Sequence, residues 1–108
     1  MADSSRVLEA LSDVLAARRE ADPDTSYVAG LLARGNEGIC PKITEEAAEV
    51  VEAAQEYDNA HLTHEVADLW FHSMVLLAHH GLGPDAVLNE LASRFGTSGL
   101  TEKANRRA

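Results

Sequence analysis

The sequence predicts an all-α fold. Apolar residues recur at three- and four-residue spacing, no segment alternates apolar and polar residues between hairpin turns, and Pro and Gly stand where helices would begin and end. At 108 residues the chain has room for one core, so residues 1–108 are read as a single domain of about five helices.

The first helix carries Val7, Leu8, Leu11, Val14 and Leu15 on one face. Asp3, Ser4 or Ser5 is available as its cap, and its end is expected near Ala21, before Pro23. A shorter second helix, 26–34, presents Tyr27, Val28, Leu31 and Leu32 and stops at Gly35. The third is expected from about Pro41, tolerated in a first turn, to about Glu56. Asp58 and Asn59 make the break. The fourth runs from about Ala60 to His80 and stops at Gly81. The fifth begins at Pro84, presents Val87, Leu88 and Leu91, and is expected to end at Gly96. Residues 97–108 read as a polar tail, flexible or ordered by substrate.

The fourth helix is apolar nearly all round, with Val66, Leu69, Trp70, Phe71, Met74, Val75 and Leu77 pointing in most directions. Such a helix must be covered on every side. A chain of this size buries only about two-thirds of its surface alone. The expectation is an antiparallel helical bundle completed by a homodimer.

Charge narrows the function. The net charge is −9, from 9 basic and 18 acidic residues. Between Lys42 and Arg94 there is no Lys or Arg, and ten carboxylates lie there. A centre of this kind repels nucleic acid unless a cation intervenes. The apolar run through Leu76 is far shorter than the ~20 residues a membrane span needs. No leader for secretion is read, and the lone Cys40 forms no internal disulfide, which points to a cytoplasmic setting with no membrane partner.

Advancing about 100° per residue, Lys42, Glu46 and Glu49 share one sector of the third helix. Glu46 falls at the edge of a face made by Ile43, Ala47, Val50 and Ala54, with Glu45, Glu52 and Glu56 further towards solvent. On the fourth helix Glu65, Asp68, His72 and His79 share a sector. An antiparallel pair would let Glu46, Glu49, Glu65 and Asp68 converge. Two outcomes relieve that repulsion, proton uptake or a divalent cation. Oxygen ligands favour Mg²⁺, Mn²⁺ or Ca²⁺ over zinc. Plainer readings stay open at this stage. An E-E-x-x-E run is commonly a solvated face, and Glu65 also suits a helix N-terminus. His72 reads equally as a satisfied core histidine. His61 and His64 read as exposed, and His79 and His80 as caps of the helix C-terminus. Tyr27 and Trp70 read as core or interface residues.

Glu46-Ala47-Ala48-Glu49 followed by Glu65-Val66-Ala67-Asp68 resembles the E-x-x-E and E-x-x-D motifs of the all-α nucleoside-triphosphate pyrophosphohydrolases. Lys42-Ile43-Thr44-Glu45-Glu46-Ala47 and Trp70-Phe71-His72 extend the resemblance to the phosphoribosyl-ATP pyrophosphatase family, over nearly the whole chain. It differs from that family's common pattern at Pro41 and Thr44, where Gln and Gly are often found. The resemblance implies Mg²⁺-dependent cleavage of phosphoribosyl-ATP to phosphoribosyl-AMP and pyrophosphate in histidine biosynthesis. By the same resemblance Glu46, Glu49, Glu65 and Asp68 would hold metal, and Glu45 would hold or orient the attacking water beside Glu46 and Glu49. Lys42 would contact phosphate, with His72, Arg94 and Lys103 as further substrate-side candidates. The competing readings are a house-cleaning pyrophosphatase of noncanonical nucleoside triphosphates and a non-catalytic helical module.

Overall fold

The computed structural model describes residues 6–95. Five helices follow one another: α1 (Val7–Arg18), α2 (Tyr27–Arg34), α3 (Asn36–Gln55), α4 (Asn59–His79) and α5 (Pro84–Ala92). Among the described residues there is no strand.

Each boundary has a local cause. Arg19 N–H and Ala21 N–H turn back to the carbonyls of Ala16 and Arg18, so α1 closes three residues before the expected end. The candidate caps Asp3, Ser4 and Ser5 lie outside the described residues, and Arg6 occupies the cap position of α1. Ser26 caps α2 by accepting a hydrogen bond from Ala29 N–H at 3.2 Å. Gly35 then adopts φ 65° and ψ −147°, a conformation essentially confined to glycine, and ends α2 while starting α3. The third helix therefore begins five residues before Pro41. The expectation of Pro41 in a first turn is corrected: it lies inside α3, where it forgoes one helix hydrogen bond. Asp58 caps α4, accepting from Ala60 N–H and His61 N–H at 3.1 Å each. Tyr57 supplies the left-handed residue of that turn, at φ 59°. Gly81 (φ 75°) stops α4 as expected, with Leu82 N–H reaching the Leu77 carbonyl at 2.8 Å. The fifth helix ends at Ala92, short of Gly96. Arg94 N–H and Phe95 N–H bond three residues back, which tightens the chain out of α geometry.

The long helices α3 and α4 form an antiparallel hairpin and make the most extensive pairing in the fold, with α1 and α2 packed against them. The core is Leu15, Leu31, Ile39 and Val75, flanked by Leu11, Val28, Ile43 and Phe71. The expected apolar face of α3 is corrected in its second half. Ala47 and Ala54 are exposed, while Ile39, Glu46 and Ala53 form the buried line. The hairpin thus closes on Glu46 as well as on apolar residues.

Candidate metal centre

On α3 the buried Glu46 and the half-buried Glu49 stand one turn apart, and α4 carries the buried Glu65 against them. The three carboxylates each bring an oxygen within 4.8 Å of the others. Glu46 is 8% exposed and Glu65 9%. Asp68 joins through Glu65. With Glu65 and His64 it forms a second group of the same compactness, His64 Nε2 standing 3.4 Å from Asp68 Oδ2. The four predicted carboxylates therefore make two groups that share Glu65.

Unit charges at ~4 Å repel by about 4 kcal/mol at an effective dielectric near 20. The molecule shows how that is relieved. The Glu49 carboxyl titrates above its ordinary value, chiefly because Glu65 accepts a hydrogen bond from its protonated form. Partial burial and the charges of Glu65, Glu46 and Glu45 push the same way. One Glu65 oxygen, Oε1, lies 3.3 Å from His61 Nε2. Its other oxygen, Oε2, is buried and has no hydrogen-bond partner among the described residues. An orphaned buried acceptor costs about 1–3 kcal/mol, and a hard cation is the partner that would satisfy it. The donor set of Glu46, Glu49 and Glu65 is oxygen only, so it fits Mg²⁺, Mn²⁺ or Ca²⁺.

A hydrogen-bonded chain holds Glu46 in place. His72 Nδ1 lies 3.0 Å from Glu46 Oε1 and 3.0 Å from the Asp68 carbonyl oxygen. Its Nε2 lies 2.8 Å from the Tyr27 hydroxyl. In the neutral tautomer with the proton on Nδ1, that N–H donates to the two oxygens and Nε2 accepts from Tyr27, so every partner is satisfied. An imidazole that fixes the orientation of a candidate metal ligand is a recurring feature of such sites.

The remaining predicted residues are more dispersed. Lys42 Nζ is 3.8 Å from Glu45 Oε2, both partly solvated. Arg94 is held by Glu90 at 3.1 Å, and Lys103 lies outside the described residues. His79 and His80 sit at the end of α4 as expected, His80 bonding the Asn36 side chain at 2.9 Å. His61 was expected to be exposed. It is instead half-buried between Glu56 Oε2 (2.7 Å) and Glu65, and the Glu56 hydrogen bond raises its pKa against the opposing effect of burial. The four-residue step from His61 to Glu65 is a signal that could have found it. Tyr27 could not have been found this way, since its partner His72 is 45 residues away.

A helical hairpin whose seam holds a carboxylate cluster defines an all-α protein with a candidate site for a hard divalent cation. The sequence comparisons sharpen that class. Residues 8–95 match the model of the family described as Phosphoribosyl-ATP pyrophosphohydrolase. A Chromobacterium violaceum protein named Phosphoribosyl-ATP pyrophosphatase is 54% identical over 101 residues, covering 94% of each chain. Proteins of the same name from Neisseria gonorrhoeae and Methylococcus capsulatus are each 52% identical. They align over 98% and 94% of this chain, and 97% and 96% of their own. This chain belongs to the phosphoribosyl-ATP pyrophosphohydrolase family.

Proposed function

We propose that this chain hydrolyses phosphoribosyl-ATP between its α- and β-phosphates, giving phosphoribosyl-AMP and pyrophosphate, with Mg²⁺, as a step of histidine biosynthesis. Family membership supports the reaction. The observation that carries the site is the buried Glu65 Oε2, without a hydrogen-bond partner among the described residues, on a carboxylate that clusters with Glu46 and Glu49. Glu46, Glu49, Glu65 and Asp68 would hold the cation. Bound there, it would polarise phosphoryl oxygens and lower the pKa of a coordinated water.

The chain's own groups do the rest. Glu45 is exposed one residue before Glu46, which suits it to orient water and take its proton at the mouth of the site. Lys42 supplies positive charge one helix turn from Glu46. His72, itself buried, acts on substrate through the orientation of Glu46 rather than by touching phosphate. Arg94 and Lys103 are assigned to the substrate side, Arg94 after release from Glu90.

A homodimer is the proposed working form. Among the described residues only Leu15, Ala29, Leu31, Ile39, Ala53 and Val75 make up the fully buried apolar set. Trp70 stays 58% exposed at the rim of an apolar groove of about 430 Å³ between α1, α4 and α5. A second copy laid on that surface would complete the bundle. No described helix is long and apolar enough to cross a membrane. The single cysteine, exposed on α3, suits the reducing cytoplasm.

The test is pyrophosphate release from phosphoribosyl-ATP, compared with ATP and dUTP, with and without Mg²⁺. Glu49→Gln and Asp68→Asn keep size and remove charge. Each is expected to lower kcat by on the order of 100-fold or more with helix content intact. Full turnover in both variants refutes the metal assignment, and preference for dUTP refutes the substrate.

A further inference from the structure

On the Lys42 side of the carboxylate cluster a cleft of about 350 Å³ opens between α2, the loop before it and α3. Arg34 and Lys42 line it together with Tyr27, and Asp24 is the only acid among the lining residues. Arg34 is the last residue of α2, exposed, and makes no ion pair among the described residues.

Its stem is placed against α3. A Cβ built on Gly38 would come within 2.6 Å of Arg34 Cβ and 3.2 Å of its Cδ and Nε. The Arg34 stem therefore lies across Gly38, a position that glycine alone leaves open. Gly38, Lys42 and Glu46 follow at one-turn intervals on the same face of α3, about 6 Å apart along the axis. The face thus runs from the Arg34 stem through Lys42 to the carboxylates. Lys42 is only loosely engaged by Glu45, a partly solvated pair of the kind worth little. Tyr27 is the shared wall. It lines the cleft, and its hydroxyl bonds His72, which bonds Glu46.

We propose that this cleft is a phosphate-monoester site that holds the 5-phosphate of the substrate's second ribose, with Arg34 as the bidentate donor and Lys42 as the point charge. The inference rests on the reading of the carboxylates as the triphosphate end. Phosphoribosyl-ATP carries two separate anionic ends, a triphosphate and a phosphate monoester. The carboxylate cluster can meet the triphosphate only through a cation. The monoester needs direct cationic donors, and Arg34 and Lys42 are the two that line this cleft. A guanidinium fork matches a terminal phosphate in geometry as well as charge. The cleft is therefore the feature that separates this substrate from an ordinary nucleoside triphosphate.

Arg34→Gln and Arg34→Lys, both at an exposed position, test the assignment through three measurements. The KM for phosphoribosyl-ATP should rise about 10-fold or more in Arg34→Gln, the size of a lost charge-assisted hydrogen bond, with kcat changed far less. Arg34→Lys should fall between. The inhibition constant of ATP, which has the triphosphate but no second phosphate, should stay where it is. Ribose 5-phosphate, titrated into metal-free wild-type protein and followed by NMR, should shift the amides of Tyr27, Arg34 and Lys42, and those shifts should vanish in Arg34→Gln. An equal loss for ATP overturns the proposal by placing Arg34 on the triphosphate, as does pyrophosphate giving the same shifts while ribose 5-phosphate gives none. An unchanged KM also overturns it. Because the titration needs neither metal nor turnover, shifts without pyrophosphate release would leave the cleft standing and remove the activity instead.

Discussion

Glu49 and Glu65 set the chemistry at the scale of single residues. Glu65 offers an acceptor to Glu49 only while Glu49 holds a proton, so folding raises the Glu49 pKa above the ordinary 4.5. The folded chain then binds more protons than the unfolded chain between 4.5 and the raised value. Stability from this group is present at low pH and is lost as pH rises through that window. His61 acts in the same direction at higher pH. Its folded pKa lies above 6.5, so its contribution is full below 6.5 and fades as the imidazolium deprotonates. Without metal, Tm is expected to fall as pH climbs across each window, and Glu49→Gln should flatten the lower slope in a calorimetric series. Mg²⁺ should reverse the loss. At 100-fold over Kd the linkage is worth about 2.7 kcal/mol, on the order of 10 °C or more for a domain of this size. Failure of Mg²⁺ to raise Tm above pH 7 would count against the carboxylate cluster as a metal site.

Among the elements, the junction of α2 and α3 decides where the cluster sits. Gly35 holds φ 65° with ψ −147°, and a Cβ there would stand 3.0 Å from the His79 ring. Gly35→Ala is therefore expected to destabilise by about 1–3 kcal/mol from backbone strain alone, with the ring contact added. That corresponds to a Tm lower by at least about 4 °C, measured by thermal denaturation followed by circular dichroism. The helices themselves were largely legible from spacing, caps and stop signals. Ser26, Asp58, Gly81 and Pro84 all act where their residue types suggest. The start of α3 was not, because Pro41 reads as a first-turn residue and the backbone of Gly35 had already begun the helix. Helix spacing placed Glu46 at the edge of an alanine-rich face. Only packing against α4 shows that the carboxylate line is the inward one.

At the scale of the whole molecule, apolar surface remains to be covered. Leu62, Val66 and Trp70 on α4 run into the groove lined by Met74, Leu77, Val87 and Leu91. Light scattering is expected to give twice the 11.6 kDa chain mass, and Trp70→Glu should shift the population to monomer without loss of helix content. A wild-type monomer at micromolar concentration would overturn the dimer. The apolar excess on α4 that argues for a partner was already visible in the sequence.

The sequence by itself determined an all-α chain, its five helices and the two acidic motifs, because helix periodicity, caps and charge spacing act over a few residues. The resemblance supplied the chemistry those motifs serve. Tertiary structure decided that Glu46 and Glu49 of α3 meet Glu65 of α4. It also decided that Tyr27 steadies His72 and that the Arg34 stem lies across Gly38 of α3, lining the same cleft as Lys42. Those contacts join side chains on different helices, and the energies that select them, burial, repulsion and hydrogen-bond satisfaction, exist only once the helices are packed.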